Sequence, residues 1–241
     1  LAPILTYHVL GTEVLAADLP ATGSAITTLG GDIYLSINDN GVYLNGTTQV
    51  VATDVDADNG VVHVIDRTLL PPSSNIVEIA VAASTATEGA EFGQLVAALT
   101  AIENDASTAA LVTVLSSMDG MNNAPFTVFA PTDAAFEALY TAAGVADLDA
   151  LVAALGTATI EQVLLYHVVP SARVFSTDLP NLTSPDVTMA NGGMITLNLG
   201  DLTITDSDAA LSVGTVDASI VGTDILATNG VIHTIDQVIL P

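Results

Sequence analysis

Cysteine, tryptophan and lysine are absent from the 241 residues, and only Arg67 and Arg173 carry a permanent positive charge. Each absence excludes a class of chemistry. Without cysteine there are no disulfides, thiolate metal sites or cysteine nucleophiles, so stability rests on packing. Against the two arginines stand 27 acidic residues, a formal net charge of −25. Nucleic acid phosphates and anionic membrane surfaces are held by Lys and Arg, so neither is a partner of this chain. Self-repulsion of this size is best tolerated where salt screens it or divalent cations bind, which favours a saline or calcium-bearing exterior. No apolar run approaches the roughly 20 residues of a membrane span, and no membrane insertion is expected. What is present is apolar: 50% of the residues are hydrophobic, enough for a packed core rather than disorder.

One stretch is written twice. Residues 59–71 read NGVVHVIDRTLLP and residues 229–241 read NGVIHTIDQVILP, 170 positions later. A shorter echo precedes each, Tyr7-His8-Val9 and Tyr166-His167-Val168, 159 positions apart. Matched segments in one order with a spacing that differs by 11 residues are the mark of a duplicated unit with a variable loop. Pro71 and Pro72 cannot continue a central strand, which sets the division at residues 1–72, a linker at 73–74 and a complete unit at 75–241. Residues 75–162 have no counterpart before Leu1, so the first unit carries only a back half. Half a domain buries too little to offset its chain entropy, and completion is expected from residues ahead of Leu1 or from another chain.

The hydrophobic period changes along each copy. Leu1, Ile4, Leu5 and His8 follow the spacing of a helix face, repeated at Ile160, Val163, Leu164 and His167, where Thr159 and Gln162 predict a capping box. Ile33, Leu35 and Ile37 then alternate with polar residues, as do Ile195, Leu197 and Leu199. Asn40-Gly41 and Asn45-Gly46 mark hairpins, so the back halves read as antiparallel β. The front half, seen once, is mostly helical, with one buried strand at residues 125–130 and Thr132 or Asp133 capping the next helix. Helices, one strand, helices and then a run of strands give an α+β fold, a small sandwich or barrel flanked by helices.

The segments FTVFAPTDAAFEAL at residues 126–139, LLYHVV at 164–169 and NGVIHTIDQVILP at 229–241 resemble the two signature boxes and the intervening Tyr-His motif of the fasciclin domain family. Residues 1–71 resemble the second half of another such domain. The resemblance implies a compact β-sandwich wedge flanked by helices, in tandem on secreted and surface proteins, serving adhesion. It assigns partner contacts to Tyr7, His8, Tyr166 and His167, and to Asp224-Ile225, whose counterpart is Asp54-Val55. Read from the residues alone, His8 and His167 lie on apolar helix faces and suit a hydrogen-bonded core better than a surface contact.

Chemistry beyond contact has few footholds. Asp54, Asp56 and Asp58 alternate and could face one calcium ion, yet an EF-hand loop wants glycine sixth and glutamate twelfth, where Asn59 and Ile65 stand. His63 and His233 fall at equivalent strand positions and read as scaffold. No G-x-S-x-G, H-E-x-x-H or phosphate-binding glycine loop occurs, so no catalytic residue is assigned and no enzyme is expected. Two roles follow: an extracellular adhesion or matrix-binding module for a protein or glycan, or a subunit of a surface array or filament that self-associates, with neighbours completing the half-domain.

Overall fold

Local patterns decide the elements, seen in a computed structural model that describes residues 1–105, 111–206 and 217–241. Two compact units form: Leu1–Ser73 with Val174–Leu182, and Ser74–Arg173 with Thr183–Pro241. Val174–Leu182 packs with the first unit, although it lies within the stretch that the repeat assigns to the second. Among the described residues no single helix is long and apolar enough to cross a membrane.

The first unit opens with α1 (Ala2–Tyr7), where Pro3 stands in the first turn and its missing N–H costs nothing. Five strands follow: β1 (Ala25–Thr28), β2 (Gly31–Asn38), β3 (Gly41–Leu44), β4 (Thr48–Ala57) and β5 (Gly60–Ile65). They pair antiparallel in chain order. Asn45 and Gly46 turn β3 into β4 with φ of 52° and 74°, the left-handed geometry that a tight hairpin needs. Ile33 and Leu35, on the inner face of β2, pack with Tyr7, Leu44 and Leu69. A 3-10 turn, Ser176–Asn181, lies against this sheet. Asn38 donates to the Thr177 carbonyl at 2.9 Å, and the Tyr34 and Phe175 rings are 6.2 Å apart.

The second unit begins with helices α2 (Ile76–Ser84), α3 (Gly93–Glu103) and α4 (Leu111–Leu115). Asn75 and Glu78 form a capping box on α2. Strand β6 (Phe126–Pro131) is followed by α5 (Asp133–Ala143), α6 (Leu148–Leu155) and α7 (Thr157–Leu165). Thr132 caps α5, its hydroxyl accepting the Ala135 N–H at 3.1 Å. The capping box expected at Thr159 and Gln162 does not form. Gly156, at φ 82°, ends α6 and starts α7 in one step, which leaves Thr159 inside the first turn, donating to the Leu155 carbonyl at 2.8 Å.

Strands β7 (Val168–Val169), β8 (Asp186–Thr188), β9 (Met194–Asn198), β10 (Thr203–Thr205), β11 (Ala218–Ala227) and β12 (Gly230–Ile235) complete a sheet ordered β7-β6-β12-β11-β10-β9-β8. Every pair is antiparallel except β6 with β12, which run parallel from Phe126 beside Gly230 to Pro131 beside Ile235. All six β6 residues are buried. One face of the pair, with Phe126, Val128, Ala130 and Ile232, joins the helical core of Leu99, Phe136 and Leu151. On the other, the Phe129 ring lies 5.7 Å from that of His233. The fold is α+β, with strands from late in the unit closed over by helices from early in it.

Candidate functional site

The β4–β5 and β11–β12 hairpins slip register at equivalent places, between Ala52 and Val55 in one and between Gly222 and Ile225 in the other. An acid stands at each slip in the left-handed region, Asp54 at φ 57° and Asp224 at φ 63°. Aspartate is among the few residues with a side chain that adopt this conformation readily. A bulge takes the acid's N–H out of the ladder, and the facing histidine receives it. Asp54 N–H reaches Nδ1 of His63 at 3.5 Å, and Asp224 N–H reaches Nδ1 of His233 at 3.3 Å. At His63 the second nitrogen is then the donor, Nε2 to the Val14 carbonyl at 2.8 Å. The Asp54 carboxylate accepts the Ala16 N–H at 2.9 Å, so one bulge holds the segment around the 3-10 turn Ala16–Asp18. These histidines are braces.

The residue after each acid turns outward. Val55 and Ile225 are exposed, and so are Val51 and Val221, four positions earlier on the same strands. Both copies thus present a pair of branched apolar side chains beside a pinned bulge. Asp224 is buried, whereas Asp54 is exposed.

The Tyr-His pairs lie elsewhere. Tyr7 and Tyr166 are fully buried. The Tyr7 hydroxyl donates to the Asp32 carbonyl at 2.8 Å and accepts from Asn45 Nδ2 at 3.0 Å, and the Tyr166 hydroxyl donates to the Met194 carbonyl at 2.6 Å. Glycine makes room for both: a Cβ on Gly193 would fall 2.7 Å from the Tyr166 ring, and one on Gly30 would fall 2.6 Å from the Tyr7 nitrogen. His8 Nδ1 donates to the Ile4 carbonyl at 2.7 Å, and its Nε2 accepts the Leu69 N–H at 3.1 Å. His167 repeats this with Val163 at 2.7 Å and Ile239 at 3.1 Å. Acceptance at Nε2 fixes the neutral Nδ1–H tautomer in both. Burial lowers the His167 pKa to about 4, against the smaller opposing pull of the Val163 carbonyl. These pairs join the end of a helix to the last segment of each copy. Of the four residues, only His8 has surface to offer a partner.

Asp54, Asp56 and Asp58 are exposed along β4 and its turn. Among the described residues no group of three or more His, Asp or Glu comes together as a metal ion would require.

Two further repeats accompany these features. VLAADLP at residues 14–20 returns as VFSTDLP at 174–180, and both form 3-10 turns. Gly30-Gly31-Asp32-Ile33 returns as Gly192-Gly193-Met194-Ile195, the backbone on which the buried tyrosines rest. Strict alignment to one register conceals both, because the loops between motifs differ in length.

The chain matches the fasciclin domain family over residues 1–71 and 94–241. Stabilin-1 of Homo sapiens is 31% identical over 244 residues, which cover 99% of this chain and 9% of that protein. Transforming growth factor-beta-induced protein ig-h3 of Oryctolagus cuniculus is 30% identical over 240 residues, 98% of this chain and 30% of that protein. The chain therefore spans under a third of the length of either relative. A solved FAS1 domain pair from the insect cell adhesion molecule Fasciclin I has a TM-score of 0.49 and 16% identity, over 99% of this chain and 79% of its own. The chain belongs to the fasciclin domain family.

Proposed function

We propose that the chain is an extracellular or cell-surface adhesion or matrix-binding module that works through non-catalytic contacts. The observation that carries this is the repeated bulge. At equivalent positions of both hairpins an apolar pair, Val51 with Val55 and Val221 with Ile225, stays in water beside an acid whose backbone is pinned by histidine. Such side chains gain roughly 25 cal/mol for each Å² taken out of water by a partner. A bulge already held in place adds little ordering cost to that contact. Family membership supports the adhesive setting, and the charge of −25 narrows the partner to a protein with a basic rim or an uncharged glycan.

The test is attachment of cells, and solid-phase binding of matrix proteins and neutral glycans, to surfaces coated with the chain. Saturable binding is expected, with or without calcium, weakening as salt rises for a protein with a basic rim and little changed by salt for a neutral glycan. No binding under any of these conditions would overturn the proposal.

A further inference from the structure

Two acceptor sequons for an N-linked glycan occur in the chain, Asn45-Gly46-Thr47 and Asn181-Leu182-Thr183. The fold treats them oppositely. Asn45 turns β3 into β4, is 6% exposed, and uses both ends of its amide inside the first unit. Its Oδ1 accepts the Tyr34 N–H at 2.9 Å, and its Nδ2 donates to the hydroxyl of the buried Tyr7 at 3.0 Å. A sugar on that nitrogen would need the space that Tyr7 fills, so the folded chain has no place for one there.

Asn181 ends the 3-10 turn Ser176–Asn181 and is exposed, as are residues 183–186 after it. Its Nδ2 donates to the Ile37 carbonyl on β2. A primary amide nitrogen carries two hydrogens, and attachment of a sugar consumes one. The other still serves Ile37, so this contact survives modification and holds the amide at the surface. We propose, resting on the extracellular setting given above, that Asn181 accepts an N-linked glycan in the folded chain and that Asn45 does not. The donor class is an oligosaccharide joined through a diphosphate to a lipid, as eukaryotic cells supply to chains they secrete. The bond from Nδ2 to the sugar C1 forms as the bond from C1 to the diphosphate oxygen breaks. The lipid diphosphate leaves with the electron pair, and the amide proton passes to a base of the transferase. The product covers an exposed stretch of chain with a bulky, solubilising group, where a protease would otherwise find access.

The experiment secretes the full chain from a eukaryotic host and measures its intact mass before and after treatment with an N-glycosidase. Thr47→Ala and Thr183→Ala each remove one sequon at an exposed threonine and leave the asparagine and its hydrogen bonds in place. Loss of one glycan is expected from the wild type and from Thr47→Ala, and no change from Thr183→Ala. No mass change in the wild type, or a glycan that persists in Thr183→Ala, would overturn the proposal. A glycan that disappears with Thr47→Ala would sit on Asn45 and overturn it too. Cell attachment to the same preparations reads the adhesive proposal separately, since a chain that binds without carrying a glycan overturns only the assignment of Asn181.

Discussion

His167 accepts the main-chain N–H of Ile239 at 3.1 Å through one ring nitrogen and donates to the Val163 carbonyl at 2.7 Å through the other. A proton added to this ring has nowhere to go: it would face the Ile239 N–H in a site closed to water. The end of α7 and the segment after β12 are therefore joined by a neutral imidazole. Burial lowers its pKa from the ordinary 6.5 to about 4.

The first prediction concerns acid. Between those values the unfolded chain binds a proton that the folded unit refuses, so stability is full above pH 6.5 and is lost as pH falls toward 4. Two and a half units correspond to about 3 kcal/mol. Urea unfolding at pH 7 and pH 4 measures this, with His167→Gln as the control that removes the ring and keeps every carboxylate. The wild type should lose more stability on acidification than the variant; equal losses would refute the role of the ring.

Phe129 tests the layer that β6 forms with β12. Its side chain is buried and lies against His233. Phe129→Ala should cost about 3–5 kcal/mol in denaturant unfolding. A loss below about 1 kcal/mol would make the strand peripheral.

Arg173 is one of two arginines in an acidic chain, and its side chain is 4% exposed. It donates to the Asp119 carboxylate at 3.2 Å and to the Thr228 carbonyl at 3.3 Å. Arg173→Ala should cost about 2–4 kcal/mol by leaving these acceptors without it. Arg173→Lys should recover only part of the loss in the same unfolding assay, because an ammonium cannot reproduce the planar fork.

The bulge makes a conformational prediction. At φ 63°, Asp224→Gly keeps the left-handed geometry and Asp224→Val resists it. The valine variant should be about 1–2 kcal/mol less stable than the glycine variant. Equal stabilities would show that the bulge relaxes to ordinary strand.

Much of this was legible in the chain. The FTVFAP run, bounded by proline, reads directly as a buried strand, and the alternation in β2 and β9 names their inner faces. The Tyr-His pairs show the limit of such reading. A motif that recurs at fixed spacing can be scaffold or contact surface, and only the carbonyls of Asp32 and Met194 reveal that the tyrosine hydroxyls are used up inside. The bulges are hidden for a related reason: nothing in Asp224-Ile225 announces a left-handed backbone, which arises from a slip against β12, whose His233 lies nine residues further along the chain. The capping box at Thr159 was misplaced because Gly156 serves two helices, a geometry that spacing alone does not encode.

Solid-phase binding by the wild type and by a variant with Val51→Asp, Val55→Asp, Val221→Asp and Ile225→Asp together tests the adhesive account most directly. All four side chains are exposed, so thermal unfolding should be nearly unchanged, and affinity for the captured matrix protein or glycan should fall about ten-fold or more. A variant that folds normally and binds as well as the wild type would contradict it.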